Sequence, residues 1–154
     1  MLIEVKVKVA RIIDGKTRKR TETYIVDKEL FSEAEYMVMS RLTQEQTEGT
    51  VESFEIQGLK MSQIKEVAGQ FNGTFTYIIT LKDIWLDDDG TEKYLKYKVL
   101  LDADDAADAT SNALQLARQG YDMQVEGIKQ VDYDYLTETP EVTNSEEEEN
   151  DGNS

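Results

Sequence analysis

Two groups of side chains in this chain could do chemistry by binding. The first is cationic: Lys6, Lys8, Arg11, Lys16, Arg18, Lys19 and Arg20 are opposed only by Asp14 across residues 5–20, a local charge of +6. The second joins rings to cations, with the single Trp, Trp85, followed by Tyr94, Lys96 and Lys98. Lysines neutralise phosphates, and bases stack on aromatic rings whatever their sequence, so this combination suits single-stranded nucleic acid. The expected binding residues are Lys6, Lys8, Lys16, Arg18, Lys19, Arg20, Trp85, Tyr94, Lys96 and Lys98. A structural role fits the same residues: a Trp–Tyr cross-strand pair stabilises a sheet, and lysines protect strand edges.

Other chemistries find little support. Zero His and zero Cys remove His-based triads, thiol nucleophiles, zinc fingers and disulfides. Asp87-Asp88-Asp89-Gly90 invites a calcium-loop reading. Placing Gly90 at the sixth loop position, however, puts Trp85 first and Lys96 twelfth, where acids are required. Asp102, Asp104, Asp105 and Asp108 fall where a helix should start, facing free amides and the positive end of its dipole. No glycine-rich phosphate loop occurs, and no carboxylate pair stands in a context that marks acid–base catalysis. The expectation is a protein without enzymatic activity, cofactor or bound metal.

Charge is unevenly spread along the 154 residues, which sum to −15. Residues 137–154 hold seven acids, no base and almost nothing apolar, so they should form a disordered acidic tail. Residues 1–68 are close to neutral at −1, while residues 69–136 carry −7. So acidic a chain should repel duplex DNA at long range. With no apolar run long enough to span a bilayer and no targeting segment, a soluble cytoplasmic protein is expected, without membrane partners.

The elements that must position these residues read as two copies of one unit. Shifting the chain by 75 residues sets Gly15 on Gly90, Asp27 on Asp102 and Ala34 on Ala109. A shift of 69 sets Phe54–Lys60 on Met123–Lys129. The expectation is a single internally duplicated α+β domain over residues 1–136, with repeat units of about 1–68 and 69–136. Each unit reads strand, tight turn, strand, helix, strand, giving an antiparallel sheet with two helices packed on one face. Val5 to Val9 alternate with period two, and Asp14-Gly15 and Asp89-Gly90 are strong two-residue hairpin turns. Ser32-Glu33-Ala34-Glu35 reads as a capping box with Phe31 and Tyr36 as a hydrophobic staple, and Gly49 lies past the helix end. Ala34, Met37, Val38, Arg41 and Leu42 follow at helical spacing. In the second unit the stripe is Ala106, Ala109, Ala113 and Leu116, with Gly120 as the stop.

Turn geometry then assigns faces. Pairing Ile13 with Lys16 puts Val5, Val7, Val9, Tyr24 and Val26 under the helix, and Lys6, Lys8, Lys19, Thr21 and Thr23 on the other face. In the second hairpin Ile78, Thr80, Ile84, Leu95, Tyr97, Val99 and Leu101 go inward. Trp85, Tyr94, Lys96 and Lys98 then share the outer face, with Trp85 directly across from Tyr94.

The runs Tyr24-Ile25-Val26-Asp27 and Phe31-Ser32-Glu33-Ala34-Glu35, echoed by Val99-Leu100-Leu101-Asp102 and Asp108-Ala109, resemble a domain-of-unknown-function family of gut Bacteroidales bacteria and their crAss-like phages. The resemblance covers roughly residues 1–136. It departs at the acidic tail and at Asp105, where an apolar residue is more usual. Its motif marks a strand end and a helix cap, so it transfers no catalytic residue. It implies a phage or bacterial protein in a neighbourhood that often includes replication genes.

The first expectation is therefore an accessory of phage replication or recombination that binds single-stranded DNA, its acidic tail competing for the basic patch or recruiting replication or host proteins. The alternatives are an acidic protein-binding adaptor and a DNA mimic that occupies another protein's DNA site.

Overall fold

A computed structural model describes residues 1–69, 71, 75–120 and 122–137. In chain order the elements are β1 (Leu2–Ile13), β2 (Lys16–Asp27), α1 (Phe31–Glu48), β3 (Val51–Met61), β4 (Ile64–Ala68), β5 (Phe75–Leu86), β6 (Glu92–Ala103), α2 (Ala106–Ala117), β7 (Met123–Val131) and β8 (Tyr133–Leu136). The acidic tail expected over 137–154 lies outside the described residues from 138 onward.

The α+β class is as expected, but the layering differs. The described residues form two four-stranded mixed sheets, ordered β3-β1-β2-β8 and β4-β6-β5-β7, each carrying one helix, in place of one antiparallel sheet carrying both. The difference comes from two short strands that change sheets. β4 follows β3 in sequence but pairs parallel with β6, and β8 follows β7 but pairs parallel with β2. Each sheet therefore has the same connectivity, with its last strand supplied by the other half.

Among the described residues three apolar clusters hold this arrangement. Ile3, Val5, Val7, Val9, Tyr24 and Val26 pack under Ala34, Val38 and Leu42 of α1. Tyr77, Ile79, Leu81, Val99 and Leu101 pack under Ala109 and Ala113 of α2. The third cluster lies on the faces turned away from the helices, where Ile25, Ile64 and Leu100 are buried with Ile78, Tyr133 and Tyr135 beside them. Here the two sheets meet. Burying apolar area at roughly 25 cal/mol per Å² makes this shared cluster the bond between the halves.

The first hairpin follows its sequence. Asp14 and Gly15 take φ of 53° and 77°, and Ile13 pairs with Lys16, the geometry of a two-residue primed turn. The second does not. Its loop spans five residues, because the Asp87 carboxylate accepts the amides of Asp89 at 3.2 Å and Thr91 at 3.0 Å. Leu86 then pairs with Glu92 and Trp85 with Lys93. Relative to a turn at Asp89-Gly90 this is a slip of one residue, which inverts every β5 side chain with respect to β6. Tyr77, Ile79 and Leu81 face α2, while Ile78, Thr80 and Ile84 face the other way.

The helix ends also need correction. α1 starts at Phe31 with Leu30 as its cap, and Glu33, not Glu35, reaches back to the Leu30 amide at 3.3 Å. Tyr36 is 72% exposed, so it forms no staple. Gly49 closes α1 in the left-handed region as expected, φ 86°. α2 is capped by Asp105, which accepts the Asp108 amide at 2.8 Å. It ends at Arg118 in right-handed geometry, so Gly120 is not its stop. Gly120 is small for another reason: a Cβ there would lie 2.8 Å from the Met123 methyl. Ala106 is exposed and leaves the stripe to Ala109, Ala113 and Leu116.

The segments related by the 69-residue shift share a local device. Each strand carries an extra residue against its partner immediately before a glycine, Gln57 before Gly58 in β3 and Glu126 before Gly127 in β7, and β3 carries a second, Glu52, near its start.

Candidate functional site

The ten expected binding residues divide between two surfaces. Lys6, Lys8 and Lys19 lie on the helix-free face of the first sheet, and Tyr94, Lys96 and Lys98 on that of the second. Lys16, Arg18, Arg20 and Trp85 are on the helix-bearing faces. The expected stacking of Trp85 beside Tyr94 on one outer face is therefore not formed. The one-residue slip puts the two rings on opposite sides of the β5–β6 ribbon, Trp85 47% and Tyr94 58% exposed.

The helix-free faces gain residues that the sequence reading missed. A cavity of about 180 Å³ where the sheets meet is lined by Lys6 and Lys60 from one and Lys98 from the other, with Ile64, Ile78 and Tyr133. Lys60 Nζ lies 3.6 Å from the buried Glu4 carboxylate, and Lys98 Nζ donates to Gln63 Oε1 at 3.5 Å. Farther along the β5–β6 ribbon, Lys82 Nζ stands 4.6 Å from the centre of the Tyr94 ring and Lys96 Nζ 6.0 Å. Lys96 also pairs with Glu126 at 3.0 Å, which raises the ammonium's pKa and lowers the carboxyl's. Lys82 was legible only once the register was known. Lys60 needed the meeting of the two sheets.

Arg11, counted with the basic run, is withdrawn from solvent. Its guanidinium binds the Glu22 carboxylate through two nitrogens, and its Nη1 lies 3.0 Å from Glu45 Oε1 on α1. Tyr24 donates to Glu22 at 2.8 Å, and Arg20 Nε does the same. Burial pushes the Glu22 carboxyl up, but the bonds from Arg11, Arg20 and Tyr24 outweigh it and hold it at about 2. This network fastens α1 to the ribbon and leaves Arg20 only partly available to a ligand.

A larger cavity of about 370 Å³ beside α2 is lined by Asp102, Asp104 and Asp108 with Asn112 and Gln115. Asp108 accepts the Asp104 amide at 3.0 Å, so its charge serves the helix start. Among the described residues no group of three or more acidic side chains is placed to hold a metal ion. No helix among them is long and apolar enough to cross a membrane.

No curated protein and no solved structure matches this chain. A family model does: residues 1–134 match the domain of unknown function DUF4494, and the chain belongs to that family.

Proposed function

We propose that this chain is a non-enzymatic accessory protein of replication or recombination, phage-encoded as the sequence resemblance implies, that binds single-stranded DNA along its helix-free faces. The observation that carries this reading is the convergence of Lys6, Lys60 and Lys98 from two sheets on one cavity. Tyr94 supports it from the same side as Lys98, exposed and accompanied by Lys82 and Lys96. A base stacking on that ring contributes roughly 1–3 kcal/mol. The ammonium of Lys82, now over the ring, is then free to move to the adjoining phosphate. With Trp85 on the far side, the stacking role passes to Tyr94 alone. The acidic tail is a competitor for the same lysines.

Titration of labelled single- and double-stranded oligonucleotides with full-length protein, across a salt series, tests the reading. Single strands should bind with an affinity that falls steeply with salt. K6E/K98E should abolish that binding, and deletion of residues 138–154 should tighten it. An absence of binding at low salt overturns the reading. Weaker binding by the shortened chain overturns the tail competition.

A further inference from the structure

Beyond β8 and β4 the outer edges of β2 and β6 stay open, backed by three-stranded sheet as far as Arg18 and Leu95 and by the hairpin partner alone from there to the loop. Among the described residues β8 covers β2 only from Thr23 to Val26, leaving Lys16–Glu22 unpaired on that side. β4 covers β6 only from Lys98 to Leu101, leaving Glu92–Tyr97 unpaired. Open edges present a row of free amides and carbonyls, a template for another strand. Neither edge carries a proline or a bulge to block it.

The two ribbon ends are opposite in charge and similar in size. Residues 12–20 hold Lys16, Arg18, Lys19 and Arg20 against Asp14, a net +3. Residues 84–94 hold Asp87, Asp88, Asp89 and Glu92 against Lys93, a net −3. Each end also shows apolar side chains to water. Ile12 and Ile13 are about a third exposed on the basic end, while Leu86 is 68% and Leu95 51% exposed beside Trp85 on the acidic end.

We propose that copies of this chain associate head to tail, the basic β1–β2 end of one molecule pairing its β2 edge with the β6 edge at the acidic β5–β6 end of the next. The two surfaces are different patches of one molecule, so the contact is heterologous and repeats into chains or closes into a ring. Strand-edge pairing supplies main-chain hydrogen bonds, and the opposite charges set the register. The overall negative charge opposes association only weakly at physiological salt, where screening acts beyond about 8 Å. The contact shares Tyr94 and Lys96 on the β6 edge with the proposed nucleic-acid face but leaves Lys6, Lys60 and Lys98 outside it, so association is measured without nucleic acid and is judged apart from binding.

Sedimentation velocity of the full chain over a concentration series, without nucleic acid, tests this. The expected result is growth past the dimer, accompanied by a blue shift of Trp85 emission and reversed by high salt. K16E/R18E and D88K/E92K should each remain monomeric, since both ends then carry more nearly like charge. The chain bearing all four substitutions should assemble again, which also shows that the reversed ends are folded. A monomer at every concentration, assembly that stops at a dimer, single-end variants that assemble like the parent, or a four-fold variant that stays monomeric would each overturn the proposal.

Discussion

The Lys82 ammonium stands 4.6 Å from the centre of the Tyr94 ring on the face of the second sheet opposite α2. Trp85, one pair nearer the loop, points to the other side of the same ribbon. The two rings therefore report on different surfaces. Tyr94→Ala should weaken binding of a single-stranded oligonucleotide about 5- to 150-fold, from roughly 1–3 kcal/mol per stacked base, while Tyr94→Phe retains it. Trp85→Ala should leave affinity unchanged. Equal losses at both positions would move the contact to the ribbon end.

Glu22 ties acid stability to the α1 contact. Its carboxyl sits at about 2 against an ordinary 4.5. A depressed carboxyl stabilises the fold above its unfolded value and loses that contribution as pH falls through the folded one. The window is therefore about pH 4.5 down to 2, and the contribution is on the order of 3 kcal/mol. Thermal melts of the parent should drop across that window, and Glu22→Gln should flatten the drop while lowering stability at pH 7. Arg11→Ala leaves Glu22 its bonds from Arg20 and Tyr24, so it should cost about 1–3 kcal/mol, less than a fully stranded buried carboxylate.

Asp87 holds the second hairpin in register through two amides. Asp87→Ala should cost about 1–2 kcal/mol, the loss of two local hydrogen bonds in an exposed loop. Asp88→Ala, at an exposed position of the loop, should be neutral by chemical denaturation. A larger cost at Asp88 would mean that the loop is held in some other way.

The strand exchange makes the halves depend on each other. Leu136 of β8 is buried in the first core, and β8 pairs with β2 at Thr23–Val26. A chain ending at Asp132 should lose about 2–4 kcal/mol and melt several degrees lower, whereas one ending at Thr137 should melt like the full chain. Separate expression of residues 1–69 and 70–137 should give two unfolded fragments that fold on mixing. A cooperative melt from residues 1–69 alone would contradict this dependence.

Much of the fold was legible because it is set locally. The alternation of Val5, Val7 and Val9, the Asp14-Gly15 turn and the spacing of Ala34, Val38 and Leu42 each act within a few residues. They place β1, β2 and α1 correctly against one another. The 75- and 69-residue shifts likewise align Ala34 with Ala109 and Phe54–Lys60 with Met123–Lys129, segments that lie on corresponding helices and strands. The second hairpin misled because Asp89-Gly90 is a sound turn signal that loses to a neighbour: Asp87 captures the Asp89 and Thr91 amides first. One residue of slip then relocated Trp85 and broke up the expected site.

From its residue order alone this protein has its class, its helices, its first hairpin and the clustering of cations near the start, all consequences of period, turn chemistry and charge. Tertiary structure alone decided that β4 and β8 cross between sheets, that Ile25 and Leu100 are buried together, and that Lys60 joins Lys6 and Lys98. Those outcomes depend on segments meeting across more than thirty residues of chain, and across 110 for β2 and β8. A segment of four or five residues carries too little pattern of its own to say which edge it will cover.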